Sequence, residues 1–88
     1  MSEQEIIEYF EREASVPKDS LTAKIEDGDV ILTPLHWLDG QVWCEVMEWV
    51  DAMDGQWNRQ PKPAFGFWTF DYDRIKERID YEKEEKKK

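Results

Sequence analysis

An α+β fold is predicted, in the order α-β-β-α-β-β-α, as a small antiparallel sheet of two hairpins with a central helix and flanking terminal helices. Three observations predict it. Three segments carry apolar residues at helical spacing, and four short segments are strand-like, the first with clear alternation. The chain has only 88 residues, so the elements must share one core, because a body this size buries only about 60–65% of its unfolded surface. Residues 1–88 therefore form a single domain.

Ser2 followed by Glu5 fits a capping box, and Ile6, Ile7, Tyr9 and Phe10 between glutamates make a short amphipathic helix that ends at Val16-Pro17. Leu21, Ala23 and Ile25 alternate with Thr22, Lys24 and Glu26, the pattern of a half-buried strand. Asp27-Gly28 is a two-residue hairpin turn, and Val30 to Thr33 is the returning strand. Pro34 stops it. Asp39 can cap a helix to about Met53, with Val42, Val46, Trp49, Val50 and Met53 on one face and Trp43 and Met47 widening the stripe. Asp54-Gly55 closes this helix, with Gly55 expected near the left-handed position. Gln56 to Arg59 reads as a strand, Pro61 to Pro63 as a turn, and Ala64 to Phe70 as the next strand. Asp71 or Asp73 caps a last helix from Arg74 to about Lys86, and residues 83–88 form a charged tail expected to fray.

The composition supplies the large side chains that a small core needs: five tryptophans and 14% aromatic residues in all, each able to bury about 150–250 Å². Cys44 is the only cysteine and His36 the only histidine, which excludes an intramolecular disulfide and makes a Cys/His zinc cluster or a thiol-protease pairing not credible. The N-terminus is charged from Glu3 and no apolar run approaches the roughly 18 residues of a membrane span. Neither a signal peptide nor a membrane partner is expected, and the natural compartment is the cytoplasm.

Net charge is −9, unevenly spread. Residues 1–58 hold three basic side chains against fourteen acidic ones, a balance of −11, whereas residues 59–88 hold nine against seven, a balance of +2. Such acidity favours a protein partner or simple solubility over nucleic acid. Only the last third combines Arg59, Lys62, Arg74, Lys76 and Arg78 with most of the Phe and Tyr.

No catalytic residue is assigned. The carboxylates lie on amphipathic surfaces or in turns, without the paired, buried setting that separates an acid from a base. His36 sits in a linker and reads as a packed, hydrogen-bonded histidine, Cys44 as a small buried hydrophobe. Gly28, Gly40, Gly55 and Gly66 are isolated, so no phosphate-cradling loop exists. Glu26, Asp27 and Asp29 cluster at a turn but lack the spacing of a calcium loop. No metal and no cofactor are expected.

One constellation stands above this background: the run from the central helix through the second hairpin, WVDAMDGQWNRQPKPAFGFWTF. Trp49, Trp57 and Trp68 can be read as three sides of one core. Yet Phe65, Phe67, Trp68, Phe70 and Tyr72 fall within eight residues and on both faces of a strand, so at least one face should be exposed or shared. Aromatic side chains beside Arg59, Lys62 and Arg74 are what a single-stranded nucleic-acid platform requires, rings stacking on bases and cations holding phosphates. Trp43 to Phe70, read as a Trp- and Val-bearing helix, then Gly55-x-Trp57-Asn58, then Gly66-Phe67-Trp68-x-Phe70, resembles the helix-hairpin unit of ThermoDBP-type archaeal single-stranded-DNA-binding proteins. A similar glycine-x-Trp, hairpin, Trp unit occurs in small accessory domains of plasmid primases. The resemblance implies an aromatic cleft for DNA bases flanked by basic side chains, with Trp57, Arg59, Phe65, Phe67 and Trp68 as the matching positions.

The acidity supports an inhibitor of phage or plasmid type, its carboxylates standing in for phosphates in the basic groove of a nucleic-acid-processing enzyme. The strip would be Glu3, Glu5, Glu8, Glu11 and Glu13, or Glu45, Glu48, Asp51 and Asp54. A third reading is an oligomerisation or adaptor domain, a homodimer burying the outer face of the second hairpin. Single-stranded DNA stands first, with Trp57, Arg59, Lys62, Phe65, Phe67, Trp68 and Arg74 as its site.

Overall fold

A computed structural model describes residues 2–61 and 64–86. Its elements are α1 (Glu3–Glu13), β1 (Leu21–Glu26), β2 (Asp29–Pro34), α2 (Gly40–Ala52), β3 (Gln56–Arg59), β4 (Gly66–Asp71) and α3 (Tyr72–Lys86), the α+β order that the sequence predicts. Local signals act where expected. Glu5 N–H donates to Ser2 Oγ while the Glu5 carboxylate accepts from Ser2 N–H, which completes the capping box. Asp27 (φ 50°) and Gly28 (φ 82°) take the left-handed pair that a tight hairpin turn needs. The Asp39 carboxylate accepts from Gln41 N–H at the start of α2, and the Asp71 carboxylate accepts from Asp73 N–H as α3 begins.

The four strands form one antiparallel sheet in the order β1-β2-β4-β3. The register makes alternate rows. Ile25, Val30 and Phe70 lie across one another, as do Ala23, Leu32, Trp68 and Trp57. These rows face the helices. Rows of opposite direction, such as Lys24, Ile31, Thr69 and Gln56, make the other face, which no helix covers. On the inner face α1 contributes Ile6, Tyr9 and Phe10, α2 contributes Val46 and Val50, and α3 contributes Ile75 and Ile79, all in one buried cluster with Val30, Leu32, Trp68 and Phe70.

Two expectations about α2 are corrected. The left-handed residue after α2 is Asp54 (φ 58°), not Gly55. Gly55 is needed for space: a Cβ there would sit 2.6 Å from both Phe70 Cβ and Val50 Cγ1, closer than real atoms approach. Trp49 is half-buried instead of central to the core; its ring meets Tyr9 edge-on at 5.7 Å and carries the Arg78 guanidinium at 5.2 Å. The helix α3 continues to Lys86, where the sequence places its end, and Lys83 reaches Glu5 at 2.9 Å.

Candidate aromatic binding cleft

Three stretches of chain meet where β3 ends: the linker Trp37-Leu38, the first turn of α2 with Gly40, Trp43 and Cys44, and the second hairpin with Trp57, Arg59, Gln60, Ala64 and Phe65. They enclose a cleft of about 610 Å³, within the roughly 300–1,000 Å³ of small-ligand sites. His36 fixes the linker. Its Nδ1 lies 3.1 Å from the Trp37 carbonyl and its Nε2 lies 2.9 Å from the hydroxyl of buried Ser20. A carbonyl can only accept, so Nδ1 donates to it, while Nε2 shares a hydrogen bond with the Ser20 hydroxyl. With the backbone held this way, the Trp37 ring projects outward and is 74% exposed.

The rings are arranged in depth. Trp68 lies innermost, fully buried, with the Trp57 ring 4.7 Å away and the Trp43 ring 5.9 Å away. Trp43 and Trp57 meet edge-on at 5.7 Å and line the cleft. Trp37 and Phe65, 5.4 Å apart, form its outermost ring pair. Gly66 makes this possible: it holds φ at 136°, and a Cβ there would stand 2.7 Å from the Trp57 ring. Only glycine lets Trp57 fold down over the β4 backbone. Arg59 is the single charged side chain among the described residues that line the cleft.

Of the seven residues expected to bind, Trp57, Arg59 and Phe65 come together in the cleft, and Lys62 lies outside the described residues. The other three are placed elsewhere. Trp68 points inward from β4 into the core and presents no surface to a ligand; its indole N–H has no hydrogen-bond partner among the described residues. Phe67, one residue earlier on the same strand, falls on the opposite, helix-free face by the alternation of β structure. Arg74 lies in the first turn of α3 and pairs with Asp54 at 2.9 Å. Cys44 is exposed and lines the cleft, where the sequence reads as burying it.

Sequence reasoning missed Trp37 and Trp43 as site residues. A faint signal existed for Trp37: a tryptophan between Pro34 and the capping Asp39 belongs to no periodic segment, so no helix or strand face accounts for its burial.

Shifted proton affinities belong to a different region, where α3 lies against α1. The hydrogen bond from Lys83 holds the Glu5 carboxyl below its ordinary value, and the same bond raises Lys83. Burial, aided by a hydrogen bond with Glu13, pushes the Glu82 carboxyl up against the pull of Arg12. Desolvation raises the Tyr9 phenol. Among the described residues no group of three or more His, Cys, Asp or Glu side chains could hold a metal ion, and no helix is long and apolar enough to cross a membrane. Compared with protein-family models, curated proteins and solved structures, the chain gives no match.

Proposed function

We propose that this chain is a non-enzymatic nucleic-acid-binding protein that takes unstacked bases of a single strand into the aromatic cleft. One observation carries the reading: four rings and one guanidinium line a cleft open to solvent, and the outermost ring, Trp37, is 74% exposed. A large apolar ring held in water by a fixed linker is surface kept for a partner. Flat unsaturated groups fit edge-on and tilted rings, each stacked base adding about 1–3 kcal/mol, and Arg59 stands where a phosphate leaving the cleft would pass. The short resemblance over Trp43 to Phe70 implies the same class of ligand.

Titrating the chain with oligothymidine at low salt should quench tryptophan emission, and bound strand should slow alkylation of Cys44, the thiol on the cleft wall. Trp37→Ala should abolish the quenching while the circular dichroism spectrum stays unchanged. No quenching at micromolar protein and low salt would sink the proposal.

A second reading rests on another surface. Glu26, Asp29 and Asp71 stand in register across β1, β2 and β4 on the helix-free face, all exposed, and Asp54 joins Asp29 and Asp71 around a shallow hollow. Carboxylates one strand apart, about 4.8 Å, could occupy the basic groove of a nucleic-acid enzyme as an inhibitor. Assays of purified nucleases and polymerases test it: the chain should inhibit at least one and Asp29→Lys should relieve that inhibition.

A further inference from the structure

The surroundings of the cleft are electrically lopsided. On one side the chain from Gly55 to Phe70 contains no carboxylate, and Arg59 lines the cleft. On the other side Cys44, at the cleft wall, is followed on the same exposed face of α2 by Glu48 and Asp51. At 1.5 Å of rise per residue these carboxylates stand about 6 and 10 Å beyond Cys44 along the helix. Neither forms an ion pair among the described residues. A strand whose base sits between the rings can leave over the second hairpin, but in the other direction its phosphates run along unneutralised carboxylates.

From this asymmetry we infer that the cleft takes the end of an unpaired strand, a terminal two or three nucleotides, and not an internal stretch. The inference rests on the nucleic-acid reading and specifies its ligand. Rings supply most of the affinity because so few cations are available. For single strands the slope of log affinity against log salt is about −0.7 per neutralised phosphate, so Arg59, the one cation lining the cleft among the described residues, gives about −0.7. A duplex offers no free base and is excluded.

The test uses the full chain, tryptophan fluorescence, linear oligothymidines of increasing length and a covalently closed circle of the same sequence. Expected are equal affinities for linear strands beyond about four nucleotides, a circle bound at least ten-fold more weakly, and the shallow salt slope given above. The variant Glu48→Lys/Asp51→Lys, changed only at exposed positions, should recover binding of the circle to within about three-fold of the linear strand and steepen the slope. Equal binding of circle and linear strand by the unaltered chain, or a slope steeper than about −3, overturns end selection while leaving base binding intact. Failure of every oligothymidine to quench removes the nucleic-acid reading and this inference together.

Discussion

The aromatic cleft and the groove between α1 and α3 are both surface hollows, and they are built from opposite materials. The groove, about 190 Å³, is lined by Glu5, Glu8, Arg12, Ile79, Glu82 and Lys83. Four of its five charges find each other: Arg12 reaches Glu82 at 2.6 Å and Lys83 reaches Glu5 at 2.9 Å. The cleft presents rings and, among the described residues, one guanidinium, and its outer rings, Trp37 and Phe65, meet edge-on. Burying an apolar ring gains free energy whenever a partner arrives, whereas separating a formed ion pair costs it. The difference teaches that a hollow's volume says little about recognition. What matters is whether its side chains are already satisfied within the molecule.

The sharpest way to test the contrast is within the cleft's own ring stack. Trp68→Ala should cost about 3–5 kcal/mol, enough to unfold much of so small a domain, because it leaves a cavity under Trp57 and Trp43. Trp37→Ala should change stability by no more than about 0.5 kcal/mol, since the ring is exposed, yet remove ligand binding. Urea denaturation followed by circular dichroism separates the two. Similar losses of stability would show that the outer ring is part of the core and would dissolve the distinction. Trp68→Phe sharpens the point: it should cost less than the alanine change, because it keeps most of the ring and deletes an indole N–H that is buried without a partner.

Gly66→Ala comes next in size. The added Cβ enters space held by the Trp57 ring and the Asn58 carbonyl, at a φ that alanine strongly disfavours. A loss of about 1–3 kcal/mol is expected, together with a displaced Trp57 and a red-shifted, more exposed tryptophan emission. Unchanged emission and melting would show that glycine is not required there.

How much of this was legible follows from the range of each signal. The capping box at Ser2 and Glu5, the Asp27-Gly28 turn and the Asp39 cap are written in adjacent residues, so the element order could be read. The alternation in β4 was legible too, but not which of its faces is buried. That is decided by pairing with β2, which places Trp68 beside Leu32 and Phe70 beside Val30 under the helices and leaves Phe67 outside. The cleft was half-legible. Trp57, Arg59 and Phe65 belong to one hairpin, whereas Trp37 arrives from a linker far away in sequence and is positioned through His36 and Ser20, a pairing no local pattern announces. The Asp54-Gly55 pair was misassigned because both residues tolerate a turn, and only the crowding by Phe70 and Val50 decides which takes the left-handed conformation.

The smallest effects belong to the ion-paired groove. Breaking Arg12–Glu82 by Arg12→Ala should cost at most about 1 kcal/mol, as exposed pairs do, and the loss should shrink in high salt. Its pH dependence distinguishes the two acids. Glu5 has a lowered pKa when folded, so its contribution is present above the ordinary carboxylate range and is lost as pH falls through its depressed value. Its partner Lys83 has a raised pKa, so the same ion pair persists below 10.5 and is lost as pH rises through the elevated lysine value. Glu82 runs the other way: with a raised folded pKa, its contribution is present below its ordinary range and disappears as pH rises through the higher folded value. Melting temperature should therefore rise slightly as pH falls through the raised Glu82 value, where that carboxyl takes up a proton beside Glu13, and fall at lower pH as Glu5 is neutralised. Glu82→Gln should abolish any rise and Glu5→Gln should flatten the acid fall, while ligand binding in the cleft, which shares none of these residues, stays as it was. A change in binding that tracked either substitution would mean that the two hollows are coupled through the fold.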